Sequence, residues 1–406
     1  MPDLARSIAR FLLGDADAIR RLASWSPLLG VGAVLVLTAG IAREYDHEYF
    51  ASQPQAFLLP LVASFATATL VYGSLRLFVL RGPRSQARGR YRTFLGLFWL
   101  TAPLAWIYAL PVERVLEPVP AALCNIAFLA VVASWRVWLM SRVAAVLFGA
   151  SFPRALGAIL LPSSLLVMGV GFVVPFRLVP LMGGISLAPE TQLLVRAAGF
   201  ATTGALLAFV AAGVLLAANP NRPTTPLARP ASAAFPALPM LVLLLGWVAV
   251  AAAPQLEVRR SDRLDALLAE ERYGEALEFV STFGPGDFTP TRRIAPDPQQ
   301  MGSGSQIHLP RMFAVMDGSE PAWVRALYLD YLTIVLGPGY FQPPLEFLEI
   351  YAEKLVLLPE GAEFARAHRD DLERIAIPYL ERDTAQGEGS TEDRRLREAY
   401  RALGVF

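Results

Sequence analysis

The chain has few of the residues that most often carry chemistry. Its 406 residues include one cysteine, one lysine and three histidines, and only 17% of them are charged. The lone cysteine, Cys124, excludes a disulfide within the chain and a metal site built from cysteines. Lys354 is the lone lysine, and the arginines are not concentrated in the polar half of the chain, as a nucleic-acid-binding surface would require. We therefore expect no nucleic-acid partner.

Charge divides the chain into two parts. Residues 1–254 hold 19 arginines and nine acidic residues, whereas residues 255–406 hold 17 basic and 26 acidic residues. A basic, apolar half followed by an acidic, polar half is typical of a membrane domain joined to a water-soluble one. We predict a transmembrane domain over 22–254 and a soluble domain over 255–406, with an amphipathic interfacial helix over 1–21 in front of them.

Seven segments of the apolar half are long enough to cross a membrane, which takes about 20 predominantly apolar residues. The polar half shows helical spacing of its apolar residues, except in an irregular loop near 283–310 that is rich in Pro, Gly, Ser and Gln. The expected fold is therefore all-α, a polytopic membrane bundle followed by an all-α soluble domain. The predicted spans are Leu22–Ala42, Ala56–Leu80, Phe94–Leu110 (which contains Pro103), Val119–Leu139, Ala155–Phe176, Gln192–Ala217 and Ala234–Ala253.

The predicted spans contain no Asp or Glu. Proton relays and cation pathways usually need buried carboxylates, so the sequence argues against a proton- or sodium-coupled transporter and leaves a carrier of lipids or neutral solutes open. Pro162, Gly169 and Gly171 in the fifth span predict a kinked or broken helix, which more often shapes packing than binds a substrate. Small residues on the sixth span predict a packing seam, within the bundle or in a homo-oligomer. They are Gly204, Ala208 and Ala212.

The loops between the predicted spans alternate in their content of arginine. Thirteen arginines fall in the N-terminal tail and in the second, fourth and sixth loops, against three in the first, third and fifth loops. Because positively charged loops stay on the cytoplasmic side, we expect a cytoplasmic N-terminus and, after seven spans, an extracytoplasmic C-terminal domain. Arg259, Arg260 and Arg263 follow the last span closely and oppose this orientation, and one re-entrant segment would reverse the side of the C-terminal domain.

The stretch REYDHEYF (43–50) follows the first predicted span and is the most polar part of the membrane half. Its aromatic residues, Tyr45, Tyr49 and Phe50, fit an interfacial belt, in which amphipathic rings lie at the level of the lipid headgroups. Its carboxylates are candidates for docking against the arginines that follow the last span. The candidate interfacial or docking residues are Arg43, Glu44, Tyr45, Asp46, His47, Glu48, Arg259 and Arg260.

The same stretch contains two incomplete metal-binding motifs. Glu44-x-x-His47 matches half of a carboxylate di-iron motif, but no second pair follows. HEYFA begins like a zinc-protease helix, but Ala51 occupies the second histidine position. The chain also lacks a phosphate-binding glycine loop and a nucleophile elbow. We predict no catalytic residues and no cofactor, with Glu44 and His47 as the remaining metal candidates.

Two stretches resemble known families. GIAREYD (40–46) is similar to a stretch of uncharacterised bacterial multi-pass membrane proteins, which implies a bacterial integral membrane protein and no particular activity. SDRLDALLAEERYGEALEFVSTF (261–283) resembles one tetratricopeptide-like helical hairpin, which implies antiparallel helices and a role in protein binding.

Three function classes stay open at this point. The sequence favours a non-enzymatic inner-membrane (plasma-membrane) protein that acts as a scaffold or assembly factor, with its soluble domain as the site for a protein partner. The second class is a carrier or lipid-handling permease that is not coupled to protons through buried carboxylates. The third is a membrane enzyme that uses the REYDHE loop.

Overall fold

The computed structural model describes residues 2–45, 49–80, 87–178, 189–219, 233–288, 305–337, 345–386 and 391–403. They form two compact units. Unit 1 comprises Met1–Phe176 and Pro189–Gln255, and unit 2 contains the described residues from Leu256 onward.

Unit 1 consists of apolar α-helices joined by turns and 3₁₀ segments. Its sequence contains long runs of Leu, Val, Ala and Phe. In an apolar environment such runs form helices, because a helix satisfies its backbone hydrogen bonds internally. The described α-helices are α1 (Pro2–Leu12), α2 (Ala16–Ala23), α3 (Leu28–Glu44), α4 (Leu59–Phe78), α5 (Ala87–Trp99), α6 (Pro118–Phe148), α7 (Phe152–Leu178), α8 (Pro189–Ala218) and α9 (Ala237–Ala252). The 3₁₀ segments are Pro54–Phe57, Ala102–Ala109 and Val112–Arg114.

Unit 2 is helical as well. Its described α-helices are α10 (Gln255–Ala269), α11 (Tyr273–Ser281), α12 (Ser305–Val315), α13 (Ala322–Leu336), α14 (Leu345–Leu357), α15 (Gly361–Ala367), α16 (Arg369–Gln386) and α17 (Thr391–Ala402). The described residues of both units contain no β-strand. The predicted all-α fold, with an apolar helical bundle, is therefore confirmed.

Five helical segments of the described chain are long and apolar enough to cross a membrane, by length and composition. A sixth is added if α9 and α10 count as one bent span. The chain is therefore a multi-pass membrane protein, with fewer qualifying segments than the seven predicted. The five are Pro54–Phe78, Gly89–Arg114, Pro118–Phe148, Phe152–Gly171 and Leu193–Ala218.

The first and seventh predicted spans account for this difference, and α9, the helix of the seventh, has only 16 residues. The first predicted span is shortened at its start. Its predicted start at Leu22 is wrong, because α2 ends at Ala23 and α3 begins only at Leu28. Pro27 stands at this boundary, and the residue before a proline is biased away from the helical conformation. The remaining helix α3 has 17 residues, or about 26 Å at 1.5 Å per residue, against a hydrocarbon core of about 30 Å.

The third predicted span is a broken helix. The α-helical part, α5, ends at Trp99, and a 3₁₀ segment continues from Ala102 to Ala109. Pro103 lies in the first turn of that segment, where its missing N–H leaves no hydrogen bond unmade. The Trp106 indole donates to the Thr38 hydroxyl at 3.0 Å and joins the 3₁₀ segment to α3.

The proline of the fifth predicted span lies inside the continuous helix α7. Pro162 has no N–H to donate to the carbonyl of Ala158, four residues earlier. The hydroxyl of Ser74 on α4 donates to that carbonyl at 2.6 Å, and Ser74, Ala158 and Pro162 are all buried. The carbonyl that Pro162 leaves free is thus used to join α7 to α4, which favours a packing role for the proline.

Glycine and small residues bring α7 and α8 close together. A Cβ atom on Gly171 would lie 1.9 Å from the hydroxyl oxygen of Thr202, and one on Gly157 would lie 3.0 Å from the Ala212 carbonyl. The predicted seam on the sixth span is thus correct for Ala212. For Gly204, which is exposed and has no described atom within 4 Å of its Cβ position, the alternative of a seam in a homo-oligomer stays a prediction.

Arg154, near the start of α7, binds the ends of two other helices. Its guanidinium donates to the carbonyls of Phe78 at 2.7 Å and Leu216 at 2.9 Å, and to the carbonyl of Asn219. The last carbonyls of a helix have no partner within the helix. Arg154 supplies those partners and joins α7 to the ends of α4 and α8.

The N-terminal segment forms two helices where one amphipathic helix was predicted over 1–21. Gly14, with φ of 75°, separates α1 from α2, since this left-handed conformation favours glycine. The Trp135 indole of α6 donates to the Leu12 carbonyl at 2.8 Å. Phe11 is completely buried, so this segment packs into the core of unit 1.

Unit 2 is built around an aromatic cluster of its own. The rings of Phe313, Tyr328 and Tyr351 are buried, with the Phe313 ring edge-on to both tyrosines at centroid distances of 6.2 and 5.3 Å. Arg325 of α13 forms a two-pronged ion pair with Glu360, with contacts of 2.8 and 2.9 Å. The hydrogen bonds from Arg325 hold the pKa of the Glu360 carboxyl below its ordinary value.

The irregular loop predicted near 283–310 is described only at its two ends. Residues 305–310 belong to α12, and Pro285–Asp287 forms a 3₁₀ turn, while 289–304 lie outside the described residues. Helices α10 and α11 lie on either side of residues 270–272, inside the stretch that resembles a tetratricopeptide hairpin. That resemblance stays a prediction.

The hydrogen bond from the Ser74 hydroxyl to the Ala158 carbonyl can be tested for its contribution to the stability of unit 1. Ser74→Ala leaves the Ala158 carbonyl without a donor and should destabilise the protein by about 1–2 kcal/mol, measured by thermal unfolding in detergent. Ser64→Ala is the matched control, because the Ser64 hydroxyl bonds only within α4, to Leu61. In a Pro162→Ala background the restored N–H replaces the lost donor, so Ser74→Ala should cost less. An equal cost in both backgrounds would contradict this explanation.

Candidate functional site at the Tyr45 end of unit 1

The polar stretch singled out in the sequence begins on the last turn of α3. Arg43 and Glu44 are the final residues of this helix, and Tyr45 is its C-cap. Asp46, His47 and Glu48 lie outside the described residues. Tyr49 and Phe50 follow them and are half-buried. We call this region, where α3 ends and α4 begins, the Tyr45 end.

Tyr45 is packed inside the protein. Its ring is buried with Ile41 and Ala251, and Trp247 packs against the same cluster. Its hydroxyl donates to the Ala109 carbonyl at 3.1 Å, at the end of the 3₁₀ segment. Tyr45 is therefore packed against neighbouring helices, and its predicted position at the level of the lipid headgroups stays a prediction.

Gln255 joins the two sides of the REYDHE stretch. Its side-chain oxygen accepts a hydrogen bond from the Phe50 N–H at 2.9 Å, and its side-chain nitrogen donates to the Tyr45 carbonyl at 3.1 Å. One amide group thus binds the residues before and after Asp46–Glu48 and connects them to the end of α9. Gln255 was not a candidate in the sequence, because contacts between residues more than 200 positions apart leave no local signal.

Two tryptophans pack next to the Tyr45 cluster. The rings of Trp106 and Trp247 lie with centroids 5.6 Å apart. Trp106 also donates to the buried Thr38 hydroxyl, which in turn donates to the Leu35 carbonyl at 2.8 Å. The Trp106 indole and the Thr38 hydroxyl thus both have partners, and they join the middle of α3 to the 3₁₀ segment.

Arg43 and Glu44 are neighbours in the sequence and form an ion pair with each other. The Arg43 Nε and the Glu44 carboxylate are 3.2 Å apart, with side-chain exposures of 66% and 28%. The sequence also predicted pairing of Arg43 with Asp46 or His47, which stays untested because those residues lie outside the described chain. The described residues contain no group of three or more metal-binding side chains, but His47 lies outside them, so the metal candidates Glu44 and His47 stay untested.

A pocket of about 430 Å³ opens beside this ion pair. Ligand pockets in proteins commonly measure about 300–1,000 Å³, so it is large enough for a small ligand group. Its polar rim is made by Arg43, Glu44, Gln53 and Gln55. Its apolar wall is made by Ala56, Leu59, Pro60 and Ala63. The glutamines were not candidates in the sequence, because they lie in a turn with no motif.

Of the predicted docking arginines, Arg260 has its partner within unit 2. Its guanidinium binds the Asp287 carboxylate at 2.6 Å and lies over the Phe283 ring at 4.7 Å. The Gly284 N–H, followed by the Arg260 charge, holds the pKa of Asp287 below its ordinary value. Arg259 is exposed. Docking of the acidic loop against these arginines stays a prediction.

Comparison with protein-family models, with curated proteins and with solved structures finds no match for this chain.

The Gln255 contacts predict a local change in backbone protection. Gln255→Met keeps the length of the side chain and removes both hydrogen bonds, so the amide of Phe50 should exchange its hydrogen about fivefold faster. Hydrogen exchange of a peptide covering 49–53 measures this change. Gln55→Met is the control, because it makes the same change of side chain at a position outside the measured peptide. Unchanged exchange in Gln255→Met would show that this amide does not hold the loop.

Proposed function

We propose that the protein is a membrane scaffold or assembly factor that presents unit 2 as a helical interaction domain. The observation that carries this proposal is a group of exposed apolar side chains on unit 2. Val315, Val356 and Leu357 are 40%, 46% and 59% exposed. The Lys354 ammonium donates to the Met316 carbonyl at 2.7 Å, so these three residues lie at adjoining helix ends.

The remainder of unit 2 supports an interaction role. Its aromatic core and the Arg325–Glu360 ion pair hold the helices together, so the apolar group is not needed to complete the fold. Exposed apolar groups surrounded by polar residues often mark protein-binding sites. Because residues 255–406 carry 26 acidic and 17 basic residues, the partner that fits is a protein with apolar anchors and basic residues around them.

The proposal includes a location. We place the protein in the inner membrane of a bacterium, with a cytoplasmic N-terminus and unit 2 on the opposite side. The arginine asymmetry of the loops supports this orientation, with 13 arginines on one side and three on the other. The orientation requires that α3 and α9, with 17 and 16 residues, cross the membrane in addition to the five qualifying segments, which makes seven crossings.

The other function classes stay predictions. The pocket at the Tyr45 end is compatible with a lipid-handling permease and with a membrane enzyme, because both classes need a ligand site. The close contact of α7 with α8 uses the face of Ala212 and leaves Gly204 exposed, so a homo-oligomer through the sixth span would use the Gly204 face.

A photo-crosslinker at position 357 tests the interaction role. Incorporated in place of Leu357 in the full-length protein and activated in native membranes, it should give a discrete product with one protein, identified by mass spectrometry. Val356→Glu should reduce this product severalfold, because burying a charge in an apolar contact is unfavourable.

The matched control places the crosslinker at Ile377 on α16, which is 38% exposed. Equal products at 357 and 377, or no product at 357, would contradict the proposal.

A further inference from the structure

The pocket at the Tyr45 end combines opposite charges with an apolar wall. Arg43 and Glu44 stand side by side on its rim, and Gln53 and Gln55 add amide groups. Glu44 is the only described carboxylate that pairs with Arg43, and it does so through the Nε atom. The described contact between Arg43 and Glu44 uses the Nε atom, and a guanidinium can bind phosphate in a two-pronged manner through its terminal nitrogens.

The apolar wall continues onto a surface that faces outward. Leu59 lines the pocket and is 66% exposed, and Val62, one turn further along α4, is 62% exposed. Helix α4 belongs to a segment that is long and apolar enough to cross a membrane. In a bilayer, acyl chains cover such a surface, so a lipid beside α4 would bring its headgroup to the level of the pocket.

We propose that this pocket binds the headgroup of a zwitterionic phospholipid with a primary amine. Arg43 receives the phosphate, the Glu44 carboxylate receives the ammonium group, and Gln53 and Gln55 donate to the glycerol esters. The acyl chains follow Leu59 and Ala63 along α4. This inference concerns unit 1 and does not depend on the interaction role of unit 2.

The pair of charges explains why a zwitterionic headgroup fits better than an anionic one. A phosphate alone gains from Arg43 and is repelled by Glu44 at the same time. A headgroup with an ammonium beside its phosphate gains from both residues. The carboxylate therefore acts as the selective element against anionic lipids, and the arginine supplies affinity for any phospholipid.

Native mass spectrometry of the full-length protein in detergent tests the proposal. The probes are phosphatidylethanolamine, phosphatidylglycerol and soluble glycerophosphoethanolamine, each titrated separately. Phosphatidylethanolamine should bind more tightly than phosphatidylglycerol. Arg43→Gln should weaken both lipids about tenfold, because a charged hydrogen-bonded contact is lost. Glu44→Gln should weaken phosphatidylethanolamine alone and so remove the preference between the two lipids.

A second ion pair provides matched controls. Arg20 and Asp17 on α2 are also 3.2 Å apart and are exposed by 63% and 77%. Arg20→Gln and Asp17→Asn should leave phosphatidylethanolamine binding unchanged. Ala63→Trp fills the pocket without changing its charge and should weaken both lipids, so the test does not depend on the charge variants alone.

Several outcomes would overturn the proposal. Unchanged binding in Arg43→Gln and Ala63→Trp would show that lipids bind elsewhere. An equal loss in Arg20→Gln would show that any surface arginine contributes. Glycerophosphoethanolamine binding as tightly as the lipid would assign the pocket to a free headgroup, and a persistent preference in Glu44→Gln would remove the carboxylate from selection. A crosslink at position 357 would be unaffected by all of these results.

Discussion

The structure of unit 1 depends on one constraint, which is that backbone polar groups in an apolar environment must find partners within the protein. Regular helices meet it by themselves, and several described breaks and ends of helices meet it through a side chain from a neighbour. Ser74 donates to the carbonyl that Pro162 leaves free on α7. Arg154 donates to carbonyls at the ends of α4 and α8. The same groups therefore complete the hydrogen bonding and fix how the helices pack.

At the Tyr45 end, side chains also supply partners for backbone groups, and a pocket lies beside them. Tyr45 binds the carbonyl where the 3₁₀ segment ends, and Gln255 binds the backbone on both sides of Asp46–Glu48. Because these contacts fix the end of α3, Arg43 and Glu44 stand in a defined position beside the pocket. The residues that hold the site are thus distinct from those that face it, which separates stability from binding in mutational tests.

Much of the fold could be predicted from the sequence, because apolar runs of sufficient length leave helix as the favoured structure. The start of α3 was missed because Pro27 interrupts a run that is otherwise apolar. The site was predicted in part: Arg43 and Glu44 were identified by their charge at the end of a span. Gln255 was not, because its role comes from contacts with residues more than 200 positions away. The contacts of Tyr45 were not predicted either, because sequence does not tell which face of a helix end packs against a neighbour.

The central proposal of this account is that the acidic helical unit and the N-terminus lie on opposite sides of the membrane. The lone cysteine makes this directly measurable, since Cys124→Ala leaves a chain to which single cysteines can be added. We would place one at Leu13, which is 67% exposed, and one at the exposed Ala402 on α17. Intact cells treated with a membrane-impermeant maleimide should be labelled at 402 and not at 13, and both sites should react after permeabilisation. Labelling at 13 alone, or at both positions in intact cells, would contradict the account.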